Sequence, residues 1–267
     1  MITLRSAREI EAMRRSGKIT AKVLSDLMAA AKAGMTTADI DALAENGIRE
    51  LGGEPTFKGY RGYPASVCTS VNDRVVHGIP GGYTLREGDL LSIDLGTTLD
   101  GYVSDSAVTV AIGAVSESAR RLLDVTQQCL MFGIEAMREG NHIGDIGYAV
   151  QQHAEANGYG VVRELVGHGV GTEMHEDPQV PNYGRRGSGV KLRSGMVLAV
   201  EPMITQGGHE VKILEDGWTV VTTDGKLAAH FEHTIALTGD GPKILTLREA
   251  GEHADAAKYR PREEAAA

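Results

Sequence analysis

The sequence has little cysteine: Cys68 and Cys129 are its only two, and no CxxC pair occurs. Two thiols cannot build a disulfide framework, and the missing CxxC removes the common zinc-binding and redox motifs. No apolar run approaches the roughly 20 residues needed to cross a bilayer. The opening stretch MITLRSAREIEAM is charged within five residues and lacks a signal-peptide core. A basic excess is missing as well. The net charge of −9 argues against broad nucleic-acid binding, which needs a basic face. The densest basic spot, GRRGSG at 184–189, reads as a solvated loop with room for a local contact to an RNA surface. These absences leave a cytoplasmic protein with no DNA or membrane partner.

What is present is a packed globule: 42% hydrophobic residues, with charge spread along the chain. Its 267 residues suit one large domain or two closely joined halves. Ser6 and Glu9 form a capping box ahead of a helix that ends near Gly34. A shorter helix follows Thr37 and stops near Gly52. Strand-like runs then cover 66–72, 90–96 and 102–113. After Gly113 the order restarts: a long helix capped by Ser116 and ending at Gly140, then a helix over 143–157. Strands follow near 161–166, 196–204, 211–214, 218–223 and 231–238.

The halves also share residues. Gly34 precedes Asp39-Ile40 as Gly140 precedes Asp145-Ile146, an offset of 106. REGDLLSID (86–94) aligns with RSGMVLAVE (193–201) at 107, and SDSAVTVAIG (104–113) with FEHTIALTG (231–239) at 127. The expected organisation is one domain over 1–249, with related halves at about 1–113 and 114–249 and a loose tail over 250–267.

This repeat places acids at matching positions. Asp94 aligns with Glu201 and Asp105 with Glu232, each in or beside an apolar strand. A single strand-end acid is usually a surface ion pair. Four converging in apolar surroundings would each cost several kcal/mol unless cations neutralise them. Few Arg or Lys lie nearby, so divalent metal ions are the expected partners. The stretch GHGVGTEMHEDPQV (167–180) then supplies an imidazole, His168 between two glycines, with His175 seven residues on. It is neither HExxH nor GxGxxG, so the zincin and dinucleotide readings fail.

VNDRVVHGIP (71–80), SIDLG (92–96), DSAVT (105–109), GHGVGTEMHEDP (167–178), EPMI (201–204) and FEHT (231–234) together resemble the type I methionine aminopeptidases, across residues 2–247. The resemblance implies an α+β pita-bread fold: a curved antiparallel sheet of pseudo-two-fold symmetry backed by helices. It implies two divalent ions (Mn, Fe, Co or Zn) held by Asp94, Asp105, His168, Glu201 and Glu232. Asp94 would chelate one, Asp105 and Glu232 would bridge, and His168 and Glu201 would complete the other. A water or hydroxide between them would attack the amide. Glu201 would shuttle its proton, His175 would hold the carbonyl oxygen and His77 the amide on the leaving side. Phe57, Tyr63, Cys68, Met174 and Trp218 would line the methionine pocket. Arg61 in GYRGYP and Met174 depart from some bacterial relatives, which carry His and an aromatic there, so pocket-edge preference is open.

The implied reaction is removal of the N-terminal methionine from nascent proteins and peptides with a small second residue. The enzyme would be a monomer making at most transient contact with the ribosome. It would be the short form, without an N-terminal zinc-finger extension. A proline-selective peptidase of the same fold and a non-enzymatic binding module are the rival readings.

Overall fold

The computed structural model describes residues 2–248, so the tail expected over 250–267 lies outside the described residues. Four α-helices are present among them: α1 (Ala7–Ala30), α2 (Thr37–Glu50), α3 (Glu117–Ala136) and α4 (Ile143–Ala156). The strands of the first half are β1 (Glu54–Pro55), β2 (Cys68–Val71), β3 (Arg74–Val76), β4 (Leu90–Leu99) and β5 (Tyr102–Ala111). Those of the second are β6 (Gly160–Val161), β7 (Gly167–Gly169), β8 (Glu176–Val180), β9 (Val197–Val200) and β10 (Met203–Thr205). After them come β11 (Val211–Ile213), β12 (Val220–Thr222), β13 (Ala228–His230), β14 (His233–Thr238) and β15 (Gly241–Ile244).

The helix starts follow their caps. Ser6 and Glu9 make the expected capping box at α1, and Thr36 with Asp39 makes another at α2. α3 ends at Ala136, four residues before Gly140. Met137 leaves helical geometry at ψ 73, and the side chain of Asn141 donates to the Ala136 carbonyl at 3.0 Å. A side-chain donor thus satisfies one of the carbonyls orphaned at the helix end.

All strand pairs are antiparallel. β4 pairs with β5 on one side and with β2 and β1 on the other. β15-β14-β9-β7-β8 form a second sheet, and β13-β10-β6 and β11-β12-β3 form smaller ones. Helix α1 packs on β4 and β5, while α3 packs on β5, β9, β10 and β13. The main core lies between helices and sheets, with Leu24, Leu91, Ile93, Leu122, Ile146 and Leu198 all fully buried. This is the α+β architecture of antiparallel sheet backed by helices.

The strand expected over 196–204 is broken. β9 stops at Val200 and β10 starts at Met203. Pro202 has no N–H to give to a ladder, and the carbonyl of Glu201 accepts instead from Asn182 Nδ2 at 2.9 Å. The strand expected over 161–166 shrinks to Gly160–Val161, and Leu165 and Val166 turn towards the cavity described next.

Candidate metal centre and substrate pocket

Strand β5 meets the start of β14. The side-chain hydroxyl of Thr234 accepts from Asp105 N at 2.9 Å and donates to the Asp105 carbonyl at 2.8 Å. Two residues along, Glu232 N donates to the Ala107 carbonyl at 2.9 Å, and Ser106 Oγ donates to the Glu232 carbonyl at 2.6 Å. These bonds hold the Asp105 and Glu232 side chains next to each other. Asp94 comes from the adjacent strand β4, and Glu201 from the break after β9.

His168 arrives from β7, opposite Ala199 of β9. Its flanking glycines are required by that position. A Cβ on Gly167 would lie 2.3 Å from the Ala199 carbonyl oxygen, and one on Gly169 would lie 2.2 Å from that of Asp177. Only glycine lets the backbones approach so closely. His168 Nδ1 lies 2.9 Å from the carbonyl of Gly169, which fixes the proton on Nδ1. Nε2 is left as a lone-pair donor, 3.5 Å from Glu201 Oε1 and 3.7 Å from Asp105 Oδ2.

Asp94, Asp105 and Glu232 are buried and Glu201 is largely so, and no Lys or Arg pairs with them among the described residues. Burial raises every one of them, and their mutual repulsion adds to the effect at three. Asp94 is pushed up to about 7 and Glu201 to about 8, and Asp105 and Glu232 lie well above the usual carboxylate range. Burial also depresses His168 to about 3, so it is a neutral imidazole. Asp94 Oδ1, Asp105 Oδ1 and Glu232 Oε1 are buried without a hydrogen-bond partner. Asp105, His168 and Glu232 bring donor atoms within 4.8 Å of one another. Hard oxygens with one imidazole, left unsatisfied and unneutralised, fit first-row divalent ions.

Beside this cluster opens a cavity of about 190 Å³, lined by every residue singled out from the sequence: Phe57, Tyr63, Cys68, His77, Asp94, Asp105, His168, Met174, His175, Glu201, Trp218 and Glu232. Its size suits one amino-acid side chain better than a large ligand. Tyr63 stands edge-on to Phe57 and Trp218, with ring centroids 6.4 and 5.0 Å away. Its hydroxyl is fixed on the Gly78 and Val67 carbonyls. Cys68, opposite Asp94 in the ladder, has its thiol pushed well up by burial and then by Asp94, so it is a wall rather than a nucleophile. His77 sits at φ 59, a left-handed conformation costly for a non-glycine residue, and its ring is edge-on to Trp218. Burial holds it neutral, near 4.

His175 rides on the loop after β7. Glu176 pins that loop, accepting from the N–H groups of Thr172 and Glu173 and from Arg5. The His175 ring lies 4.2 Å from that of His168, and its Nδ1 lies 2.8 Å from the Tyr60 hydroxyl. Sequence reasoning missed Tyr60. Its only signal is its place in GYRGYP, where glycines bracket a turn. It also missed His230, which stands immediately before the FEHT motif without any motif of its own.

Residues 11–239 match metallopeptidase family M24. The methionine aminopeptidase of Clostridium acetobutylicum is 53% identical, over 93% of this chain and 100% of that protein. Methionine aminopeptidase 1 of Bacillus subtilis is 47% identical, over 92% and 99%. The chain belongs to family M24, among its methionine aminopeptidases. Family members use divalent metal, and the buried cluster fits that use. The crystal structure of methionine aminopeptidase from Thermotoga maritima superposes with a TM-score of 0.91 at 44% identity, covering 93% of this chain and 100% of that one. A prolidase from Pyrococcus furiosus gives 0.76 at 24% identity, with 66% of its length covered. At that identity the likeness is one of fold, the pita-bread arrangement.

Proposed function

We propose that this aminopeptidase removes N-terminal methionine from nascent chains and peptides whose second residue is small. One observation carries the reading: a cavity sized for a single side chain, walled by Phe57, Tyr63, Cys68, Met174 and Trp218, opens directly onto the carboxylate–imidazole cluster. A straight thioether suits such aromatic and sulfur walls.

Two divalent ions, drawn from Mn, Fe, Co or Zn, would sit in the cluster. Asp94 would hold one, His168 and Glu201 the other, and Asp105 and Glu232 would be shared. When bound, they supply Lewis-acid polarisation of the scissile carbonyl and lower the pKa of water. The protein's own groups do the rest. Tyr60 donating to Nδ1 of His175 leaves the proton on Nε2. Burial and the Arg61 charge keep this ring neutral, so Nε2–H can donate to the carbonyl oxygen as it gains charge. His77 holds the amide on the leaving side. Glu201 takes a proton from the attacking water and returns it to the leaving nitrogen. A bulky second residue would crowd the first amide away from these groups.

The halves 1–113 and 114–249 would form one catalytic unit related by a pseudo-two-fold. The cross-contacts support this: the offset of 127 maps Asp105 onto Glu232 and Ala107 onto Thr234. It therefore exchanges the 105–234 contact with the 107–232 contact. The two buried, unpaired cysteines fit a reducing cytoplasm. There the enzyme would work as a monomer, meeting nascent chains by transient contact at the ribosome.

The test is a competition among Met-Ala-Ser, Met-Leu-Ser and Ala-Pro-Ser peptides, followed by mass spectrometry. The protein is stripped of metal and restored anaerobically with Mn, Fe or Co. Loss of methionine from Met-Ala-Ser alone is expected. Cleavage of Ala-Pro-Ser instead would replace the pocket reading with a proline-selective one.

A further inference from the structure

His230 is used by none of these roles, although it lies against the same cluster. It is 2% exposed at the end of β13, and neither ring nitrogen has a hydrogen-bond partner among the described residues. Leaving both imidazole nitrogens buried and unpaired is costly, and an unsatisfied group of this kind marks a partner or a function. Its neighbour is Glu201. Nε2 of His230 stands 3.5 Å from Oε2 of Glu201, while Nε2 of His168 stands 3.5 Å from Oε1. The Glu201 carboxylate therefore lies between two imidazoles, one on each oxygen.

The two imidazoles differ in what they can offer. His168 has its Nδ1 proton committed to the Gly169 carbonyl, so its Nε2 faces Glu201 as a lone pair. Two lone-pair carriers face each other there, and a cation between them suits both. His230 has no such commitment. Its backbone is fixed, because its N–H donates to Thr109 Oγ1 at 2.8 Å and its carbonyl accepts from the same hydroxyl at 2.9 Å. Its ring is free to carry the proton on Nε2. The 3.5 Å gap exceeds a made N–H···O bond by about half an ångström, a distance that a small rotation of either side chain closes. His230 does not line the substrate cavity, so it acts through Glu201 and not on substrate.

We propose that His230 is a positioning residue. Its Nε2–H holds Oε2 of Glu201, so that Oε1 is presented towards His168, where those two groups would hold an ion. The proposal rests on reading the cluster as a metal centre. Ligating carboxylates commonly need such an outer partner, and its loss typically weakens metal binding about 10- to 100-fold.

Manganese titration by calorimetry on the wild type, His230→Gln and His230→Leu tests it, with kcat and KM for Met-Ala-Ser measured alongside. His230→Leu should weaken one manganese site about tenfold or more and lower kcat with KM little changed. His230→Gln keeps a donor at that place and should restore affinity to within about threefold. In a Glu201→Gln background, His230→Leu should add no further loss of affinity. Wild-type affinity in His230→Leu overturns the proposal and leaves the metal centre standing. A wild type that binds no manganese overturns both. Should His230→Leu not fold, histidine nitrogen NMR on the metal-free wild type decides, with the His230 signal assigned by its absence in His230→Gln. The Nε2–H tautomer is expected, and the Nδ1–H tautomer overturns the proposal.

Discussion

The two halves present their acids differently. Asp94 and Asp105 lie inside a hairpin whose strands are paired at ten successive positions. Glu201 and Glu232 lie just outside β9 and β14, which are paired at only four. Where a ladder fixes the backbone, a short Asp suffices. Where the ladder stops, the longer Glu reaches inward, and at Glu201 two imidazoles stand 3.5 Å from its carboxylate oxygens. The register shows the same contrast. Asp94 pairs with Ala107, but Thr234, the counterpart of Ala107, pairs with Ala199. Glu201 is therefore two residues beyond the register position of Asp94, and an even shift keeps the same face of the sheet. Across from Asp94 sits Cys68, and across from Ala199 sits His168. One half spends that slot on a pocket wall, the other on a nitrogen donor.

The sharpest way to break this contrast is to neutralise one acid of each kind. Asp105→Asn would remove the proposed shared ligand from a rigid strand. It should lower kcat/KM at least about a thousandfold, since metal ions supply several kcal/mol of stabilisation. It should also leave less than one manganese ion per chain. Glu201→Gln should cost comparable rate yet retain one ion. Equal metal content in the two variants, measured by elemental analysis, would undo the distinction between fixed and adjustable ligands. Between the two histidines of the glycine-rich stretch, His175→Ala should lower kcat about 10²- to 10³-fold with metal content unchanged. Loss of metal equal to that of His168→Ala would remove His175 from its role towards substrate.

Without metal, the acids and the imidazoles should pull stability in opposite directions with pH. Burial raises Asp94 from 3.8 to about 7 and Glu201 from 4.5 to about 8. The native state then holds protons that the unfolded chain has lost, so this stabilisation disappears as pH rises towards 8. His168 and His77 are depressed from 6.5 to about 3 and about 4. Their contribution is nearly complete above 6.5 and lost as pH falls. From pH 6.5 to 8 the loss from the acids therefore outweighs the small remaining gain from the imidazoles. The Tm of the metal-free protein should fall across that window by roughly 5 °C, and saturating manganese should flatten the slope. A metal-free Tm that rises there would contradict the buried acidic cluster.

Much of this was legible in the sequence because it was written in spacing. The offsets aligned the acids, and the caps at Ser6 and Ser116 marked two helix starts. What escaped was decided by tertiary neighbours. Pro202 at least signalled a break in its strand. Nothing local showed that Asn182 would take the Glu201 carbonyl. His230 and Tyr60 were missed for the same reason. A residue that acts by orienting another carries no motif, since its partner lies 29 or 115 positions away.

Tyr60 offers the smallest and most specific test. Its turn is held closed by bonds from Tyr60 N to the Phe57 carbonyl and from Gly59 N to the Tyr63 carbonyl, so it is built on two pocket walls. Arg61 within it is forced to φ 49, between Gly59 at 86 and Gly62 at 88. Such backbone strain persists where a side chain must be aimed, and the side chain aimed here is Tyr60, at His175. Tyr60→Phe keeps the ring beside the imidazole and removes only the hydroxyl. One hydrogen bond is worth about 1 kcal/mol, so kcat should fall about five- to tenfold with KM nearly constant. In the His175→Ala background the same change should cost nothing, because the tautomer it sets is gone. A loss that persists there would mean that Tyr60 touches the substrate itself, and the left-handed turn would then belong to the pocket rim and not to the oxyanion donor.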